Sequence, residues 1–91
     1  MRMPGVARLL GRYERGRRFW RHVRVGGPDE HWFWEGDLDA EGRPSFAGAP
    51  AAAYAYELAR GSAPNGRAIE QRCGEGRCVN PEHLRPVPPV P

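Results

Sequence analysis

The sequence has no lysine and few of the residues that usually fill a protein core. Val, Ile, Leu and Phe together supply 15 of its 91 residues, below the roughly 20% at which disorder becomes a serious interpretation for a strongly charged chain. The net charge is only +3, however, and three Trp and three Tyr residues add large apolar surfaces. We therefore expect one folded α+β domain that needs an additional cross-link for its stability.

Long apolar runs are also missing. No stretch approaches the ~18 residues of a membrane span, and residues 1–11 are too short for a secretory signal. These absences favour a soluble, cytoplasmic protein that does not contact a membrane. In that compartment the two cysteines, Cys73 and Cys78, are not expected to form a disulfide bond.

The hydrophobic spacing and the turn residues divide the chain into short elements. We expect a helix over residues 6–24, which is weakened by internal glycines, and a second helix over residues 51–60, which begins at Pro50, buries Tyr54 and Leu58 and stops at Gly61. We also expect a strand at 31–35 with its hairpin partner at 43–46, and a turn at 64–66. Strands at 67–72 and 84–87 should enclose a loop at 73–83. The ends of the chain are expected to be a flexible segment at 1–11 and a Pro-rich tail at 86–91.

Three good zinc ligands lie within eleven residues of the loop, in the pattern Cys73-x4-Cys78-x4-His83. Zinc prefers four nitrogen or sulfur ligands in a tetrahedron, so a fourth ligand must come from elsewhere, and His22 and His31 are the only other histidines. Two free thiols beside a surface histidine would give the same pattern. The weak core favours zinc, because the metal can contribute much of a small domain's folding energy.

The loop motif resembles that of a known nuclease family. The run CGEGRCVNPEHL at residues 73–84 is similar to the Cys-x4-Cys-x-Asn-Pro-x-His-Leu loop of phage-type HNH endonucleases, also called His-Me finger nucleases. Residues 19–36, with Trp32-x-Trp34-x-Gly36, resemble the opening of that family, residues 55–61 resemble the helix that follows, and the whole resemblance covers residues 18–87. It implies a structural Zn²⁺ bound by His31, Cys73, Cys78 and His83, with His31 in the place of an upstream cysteine.

The same resemblance implies that the catalytic groups of the family are absent. The general-base histidine aligns with Gln71, whose neutral amide cannot take a proton from water. The residue that would hold the catalytic metal falls beyond Pro91, and a further His-Arg pair aligns with Ala52 and Ala53. Glu70 is the fallback base, although it faces the opposite side of a strand. Asn80 is interpreted as a turn residue of the zinc loop, and His22 as a surface residue of the first helix.

The positive charge of the chain comes entirely from 14 arginines. This excess permits nucleic-acid binding without demanding it, and biased codon usage or a solvated basic face would explain it equally well. We expect a non-catalytic zinc-binding domain that binds DNA. A module that binds a host protein, and an HNH endonuclease with residual or partner-dependent nicking activity, stay open as alternatives. The candidate nucleic-acid contacts are Arg17, Arg18, Arg21, Arg43, Arg72 and Arg77.

Overall fold

The computed structural model describes residues 16–88, which form a small mixed domain of helices and short strands. Three antiparallel strand pairs, β1–β2, β3–β4 and β5–β6, are arranged around one longer helix. The elements are α1 (residues 16–20), β1 (Val23–Arg24), β2 (Phe33–Trp34), β3 (Ser45–Phe46), β4 (Ala49–Pro50), α2 (Ala51–Arg60), β5 (Ile69–Gln71) and β6 (Leu84–Pro86), with 3-10 turns at Pro64–Gly66 and Pro81–His83.

The first helix ends earlier than the sequence predicts. Its helical residues stop at 20, and Val23 then pairs with Trp34 across β1 and β2. The expectation of a helix through residue 24 is therefore wrong at that end. The helix tightens where His22 N–H donates to the carbonyl of Phe19 at 3.0 Å, and the strand pairing buries Val23 beside Trp34, which continued helix would not do.

The predicted hairpin between residues 31–35 and 43–46 is also wrong in its pairing. The strand at 31–35 is present as the shorter β2, but its partner is β1, while β3 pairs with β4. The two residues between β3 and β4, Ala47 and Gly48, have φ values of 52° and 80°. A two-residue connection with positive φ at both positions matches the twist of a tight hairpin. Alanine rarely occupies such a position, so the sequence gives no signal for this turn.

Aromatic rings take the place of the missing aliphatic residues in the core. Phe19 is fully buried, and its ring stacks on Tyr54 at a centroid distance of 5.3 Å. Stacked and edge-to-face ring pairs add stability beyond the area they bury. The other rings around Phe19 are Trp20, Trp34 and Phe46, at 4.8, 4.9 and 5.3 Å.

The second helix forms where the sequence predicts it. Pro50, with its φ of −59°, precedes the first turn, and Gly61 ends the helix with a φ of 88° and donates its N–H to the carbonyl of Glu57. The buried face differs from the expectation, however. Tyr54 and Leu58 are only half-buried, because small residues bring the helix backbone close to the core. The fully packed residues are Ala51, Ala52 and Ala55.

The C-terminal strand pair is confirmed in shortened form. Ile69 pairs with Pro86 and Gln71 with Leu84, so the loop at 73–83 connects two adjacent strands, and the turn at 64–66 is present as predicted. No helix within residues 16–88 has the length and apolar character needed to cross a membrane. The predictions for residues 1–15 and 89–91 lie outside the described residues.

Candidate metal centre

Four metal-binding side chains meet at one point of the structure. One ligand atom from each of His31, Cys73, Cys78 and His83 lies within 4.8 Å of the other three. The sulfur of Cys78 is 3.4 Å from Nδ1 of His83, and the rings of His31 and His83 are 5.5 Å apart. Tetrahedral zinc, with bonds of about 2.3 Å to sulfur and 2.0–2.1 Å to nitrogen, separates its ligand atoms by roughly 3.3–3.8 Å. The Cys78–His83 pair falls in that range, and the composition and proximity of the four side chains are compatible with a four-ligand metal site.

His31 reaches the loop because β2 also pairs with the segment that contains Cys78. Phe33 forms an antiparallel bridge with Cys78. On either side, Trp34 N–H donates to the carbonyl of Arg77 at 2.9 Å, and Val79 N–H donates to the carbonyl of Trp32 at 2.8 Å. These bonds fix the register between two segments more than 40 residues apart. They place the residue before Trp32 beside the cysteine loop.

Asn80 holds the same two segments together from inside. Its side chain is completely buried. The amide nitrogen donates to the carbonyls of Pro28 and Glu30, at 3.0 and 2.7 Å, and the amide oxygen accepts from the N–H of Glu82 at 2.9 Å. The turn role predicted for Asn80 is present, since it caps the 3-10 turn at Pro81–His83. Its bridge to the residues before His31 was missed, because nothing in the sequence links positions 50 residues apart.

Gln71, which the resemblance to HNH endonucleases aligned with a general base, hydrogen-bonds to the loop in this structure. Its side-chain amide donates to the carbonyls of Gly76 and Cys78 at 3.2 and 3.3 Å. The backbone N–H of the next residue, Arg72, donates to the carbonyl of His83 at 2.7 Å. These bonds tie the end of β5 and Arg72 to the middle of the loop and to its last residue, so the amide of Gln71 braces the loop that carries Cys73, Cys78 and His83.

Two opposing effects act on the Cys78 thiol. Burial raises the pKa of the Cys78 thiol, and backbone hydrogen bonds at Asn80 and Trp32 oppose that rise. Backbone N–H groups directed at a sulfur stabilise its thiolate, which is the form that binds metal. A metal ion must therefore displace a proton from Cys78, and the metal affinity is expected to fall as the pH is lowered.

One side of the cluster faces an open cavity. The cavity has a volume of about 530 Å³ and is lined by Pro28, Asp29, Arg72, Cys73, Glu82 and His83. Cys73 is exposed, whereas Cys78 is buried. The two sulfurs of the cluster thus differ in their access to solvent.

The fallback base, Glu70, is engaged in an ion pair. Arg85 Nε donates to its carboxylate at 2.7 Å, across the β5–β6 pair in which the two residues are directly opposite. Because neighbouring residues of a strand face opposite sides, Glu70 points away from the side of Gln71. Neither residue presents a free proton acceptor at the loop.

His22 differs from its expected surface position. It follows α1, is half-buried, and its ring lies 5.5 Å from Trp34 and 6.2 Å from Phe46. It packs on the aromatic core and does not join the four-ligand cluster. Of the two histidines available as the fourth ligand, the fold brings only His31 to the loop.

The candidate nucleic-acid contacts divide into three groups. Arg43 pairs with Asp39 and Glu41 and lies in the turn before β3. Arg72, which directly precedes the loop at 73–83, and Arg77, which lies within it, are exposed and make no ion pair within residues 16–88. The remaining candidates, at the end of α1 and in the turn that follows, are all exposed: Arg17, Arg18 and Arg21.

No family model, curated protein or solved structure matches this chain. The likeness to HNH endonucleases therefore depends on the motif residues themselves.

Replacing Asn80 tests its bridging role. Asn80→Ala removes the three part-buried hydrogen bonds of a fully buried side chain. We expect it to lower the free energy of unfolding by about 2–4 kcal/mol and to weaken zinc binding through the displaced His31. Thermal melting of the zinc-loaded variants measures the first effect, and a competing chelator measures the second.

Asn80→Asp is the matched variant. It keeps an oxygen that can accept from Glu82 N–H but directs a carboxylate at the carbonyls of Pro28 and Glu30, so it should be at least as destabilising as Asn80→Ala. If both variants melted at the same temperature as the wild-type chain, the bridging role would be contradicted.

Proposed function

We propose that this chain is a zinc-stabilised domain of the HNH type that binds DNA without cleaving it. The observation that carries the proposal is the convergence of His31, Cys73, Cys78 and His83, whose ligand atoms all lie within 4.8 Å of one another. Two segments distant in the sequence supply these side chains. A metal ion at this point would therefore cross-link the domain, as the small aliphatic core requires.

The donor set favours zinc over the hard cations. Two thiolates and two imidazoles suit Zn²⁺, whereas Mg²⁺ and Ca²⁺ prefer oxygen ligands. Because all four positions are protein side chains, no position is left open for a reacting water, which is typical of a structural zinc site. The zinc would hold the loop against β2 and would take no part in a reaction.

The state of the catalytic positions supports the non-catalytic part of the proposal. HNH cleavage needs a general base that activates water beside a hydrated divalent cation. Here Gln71 donates its amide to two loop carbonyls, and Glu70 is paired with Arg85. Loss of a general base typically lowers the rate by about 10²–10⁴-fold, so metal-dependent nicking of supercoiled plasmid by the zinc-loaded chain would contradict this part.

DNA binding is supported by exposed arginines next to the two cysteines, within α1 and in the turn after it. The guanidinium group binds phosphate oxygens and guanine edges with paired donors. Arg72 and Arg77 directly precede Cys73 and Cys78 in the sequence, and they make no ion pair within the described residues. The zinc would fix the loop backbone, and with it the spacing between these two arginines.

Elemental analysis of the purified chain tests the zinc site directly. We expect one zinc per chain and, after replacement by Co²⁺, the intense visible absorption of a tetrahedral cobalt–thiolate centre. His31→Ala should weaken the binding and change the cobalt spectrum. His22→Ala is the matched control, since it removes the other upstream histidine, which packs against Trp34. Equal loss of zinc in both variants, or a metal-free wild-type chain, would contradict the proposed ligand set.

A further inference from the structure

The two cysteines of the cluster are unequal in exposure and close in space. Cys73 is exposed and lines the cavity of about 530 Å³, whereas Cys78 is fully buried beneath the loop. Their sulfurs lie within 4.8 Å of each other. A small oxidant entering the cavity therefore meets the sulfur of Cys73 first, with the second sulfur behind it.

We propose that Cys73 is an oxidation site for hydroperoxides, that Cys78 resolves the oxidised sulfur into a disulfide bond, and that the bound zinc is released. This inference rests on the proposed zinc site. The chain has two cysteines, so an intrachain disulfide has one possible pairing. In a reducing compartment such a bond would be transient, as redox-sensing disulfides are.

The reaction balances in two steps. The thiolate of Cys73 attacks the terminal oxygen of the hydroperoxide, the O–O bond breaks, and the departing alkoxide (hydroxide, for hydrogen peroxide) takes a proton to become an alcohol or water; Cys73 is then a sulfenic acid. The thiolate of Cys78 attacks that sulfur, the S–O bond breaks, and the hydroxide leaves as water after taking a second proton. Two sulfurs lose one electron each, and the peroxide gains both.

The loop has room for this bond to form. A disulfide needs its sulfurs about 2.05 Å apart, so the two must approach. The four intervening residues include Gly74 and Gly76, and an added Cβ at either position would meet no atom within 4 Å. The two glycines between the cysteines therefore border open space into which that part of the loop can move.

Oxidation removes two of the four ligands at once. A disulfide sulfur carries no charge and is a poor ligand for zinc, so only His31 and His83 would remain. The cross-link between the loop and β2 would then be replaced by a local bond within the loop. The bond would not join residues 73–83 to the segment that contains His31.

The test treats the zinc-loaded chain with hydrogen peroxide and follows two readouts. A chromogenic chelator measures released zinc, and mass spectrometry after alkylation measures thiols and disulfides. We expect one zinc released for each disulfide formed, and recovery of both thiols and zinc binding after dithiothreitol and added zinc. Oxidation of both sulfurs to sulfinic acids without a disulfide would overturn the proposal.

Two variants that preserve a metal-binding side chain separate the roles of the cysteines. Cys73→His keeps the buried sulfur, and we expect it to retain zinc under peroxide. Cys78→His keeps the exposed sulfur, and we expect a Cys73 sulfenic acid that a dimedone reagent labels. Zinc loss from Cys73→His as rapid as that from wild type would overturn the order of attack.

The outcomes also separate this inference from the zinc proposal. A purified chain that binds no zinc before treatment contradicts both. A zinc-loaded chain that keeps its metal and both thiols under peroxide contradicts the oxidation site alone.

Discussion

Removing zinc from the purified chain is expected to unfold it at 25 °C. Domains of this length have a net stability of roughly 5–14 kcal/mol, and structural zinc contributes apparent binding energies of about 10–16 kcal/mol in zinc-finger peptides. The loss is thus as large as the whole stability of a domain with few aliphatic core residues. Circular dichroism reports the helix α2, and tryptophan fluorescence reports the three Trp residues, of which Trp34 is 2% exposed in the folded chain.

The controls for this prediction use the metal itself. A chelator saturated with zinc before it is added should leave the fold intact, and zinc should refold the chelated chain. Mg²⁺ should not refold it, because that ion prefers oxygen ligands. An unchanged melting curve after complete zinc removal would show that the aromatic core around Phe19 is sufficient by itself, and the structural role of the cluster would then be rejected.

DNA binding is expected to weaken steeply as salt is added. If six phosphates are contacted, the affinity should fall about 10³-fold between 50 and 200 mM salt, because each neutralised phosphate releases a counterion. Arg72→Gln combined with Arg77→Gln should weaken binding and reduce the slope of log K against log salt by about 0.9 for each phosphate that is no longer neutralised. A labelled duplex titrated at several salt concentrations measures both.

Arg43→Gln is the matched control for charge. The guanidinium of Arg43 is already paired with Asp39 and Glu41, so its loss should change the slope less than loss of either loop arginine. Absence of duplex binding would contradict the DNA proposal. A protein partner retained at high salt would then favour the alternative of a protein-interaction module.

Local sequence was sufficient for the elements whose contacts lie near one another in the chain. The helix Ala51–Arg60 was predictable from its run of helix-forming residues between Pro50 and Gly61. The β5–β6 pair and the three loop ligands also lie within a short stretch, so spacing alone brings Cys73, Cys78 and His83 together. In each case few residues have to be ordered to form the contact, and the pattern is visible in the sequence.

Contacts between distant segments were the ones that the sequence mispredicted or missed. The amphipathic spacing around Val23 fits a helix as well as a strand, and only the presence of Trp34 opposite it decides for β1. The same holds for Asn80, whose amide reaches carbonyls 50 and 52 residues away. A side chain's partner across such a distance depends on the packing of the whole domain, and no local pattern encodes it.

Composition and local spacing were enough to predict a cysteine-histidine loop, a central helix and a core with few aliphatic residues. The rest of the site depended on how distant segments pack. That packing brought His31 rather than His22 to the loop, assigned the amide of Gln71 to loop carbonyls, and left Cys73 exposed while burying Cys78. The physical reason is that ligand identity is a property of side chains, whereas access, pairing and proximity arise only when distant segments pack together.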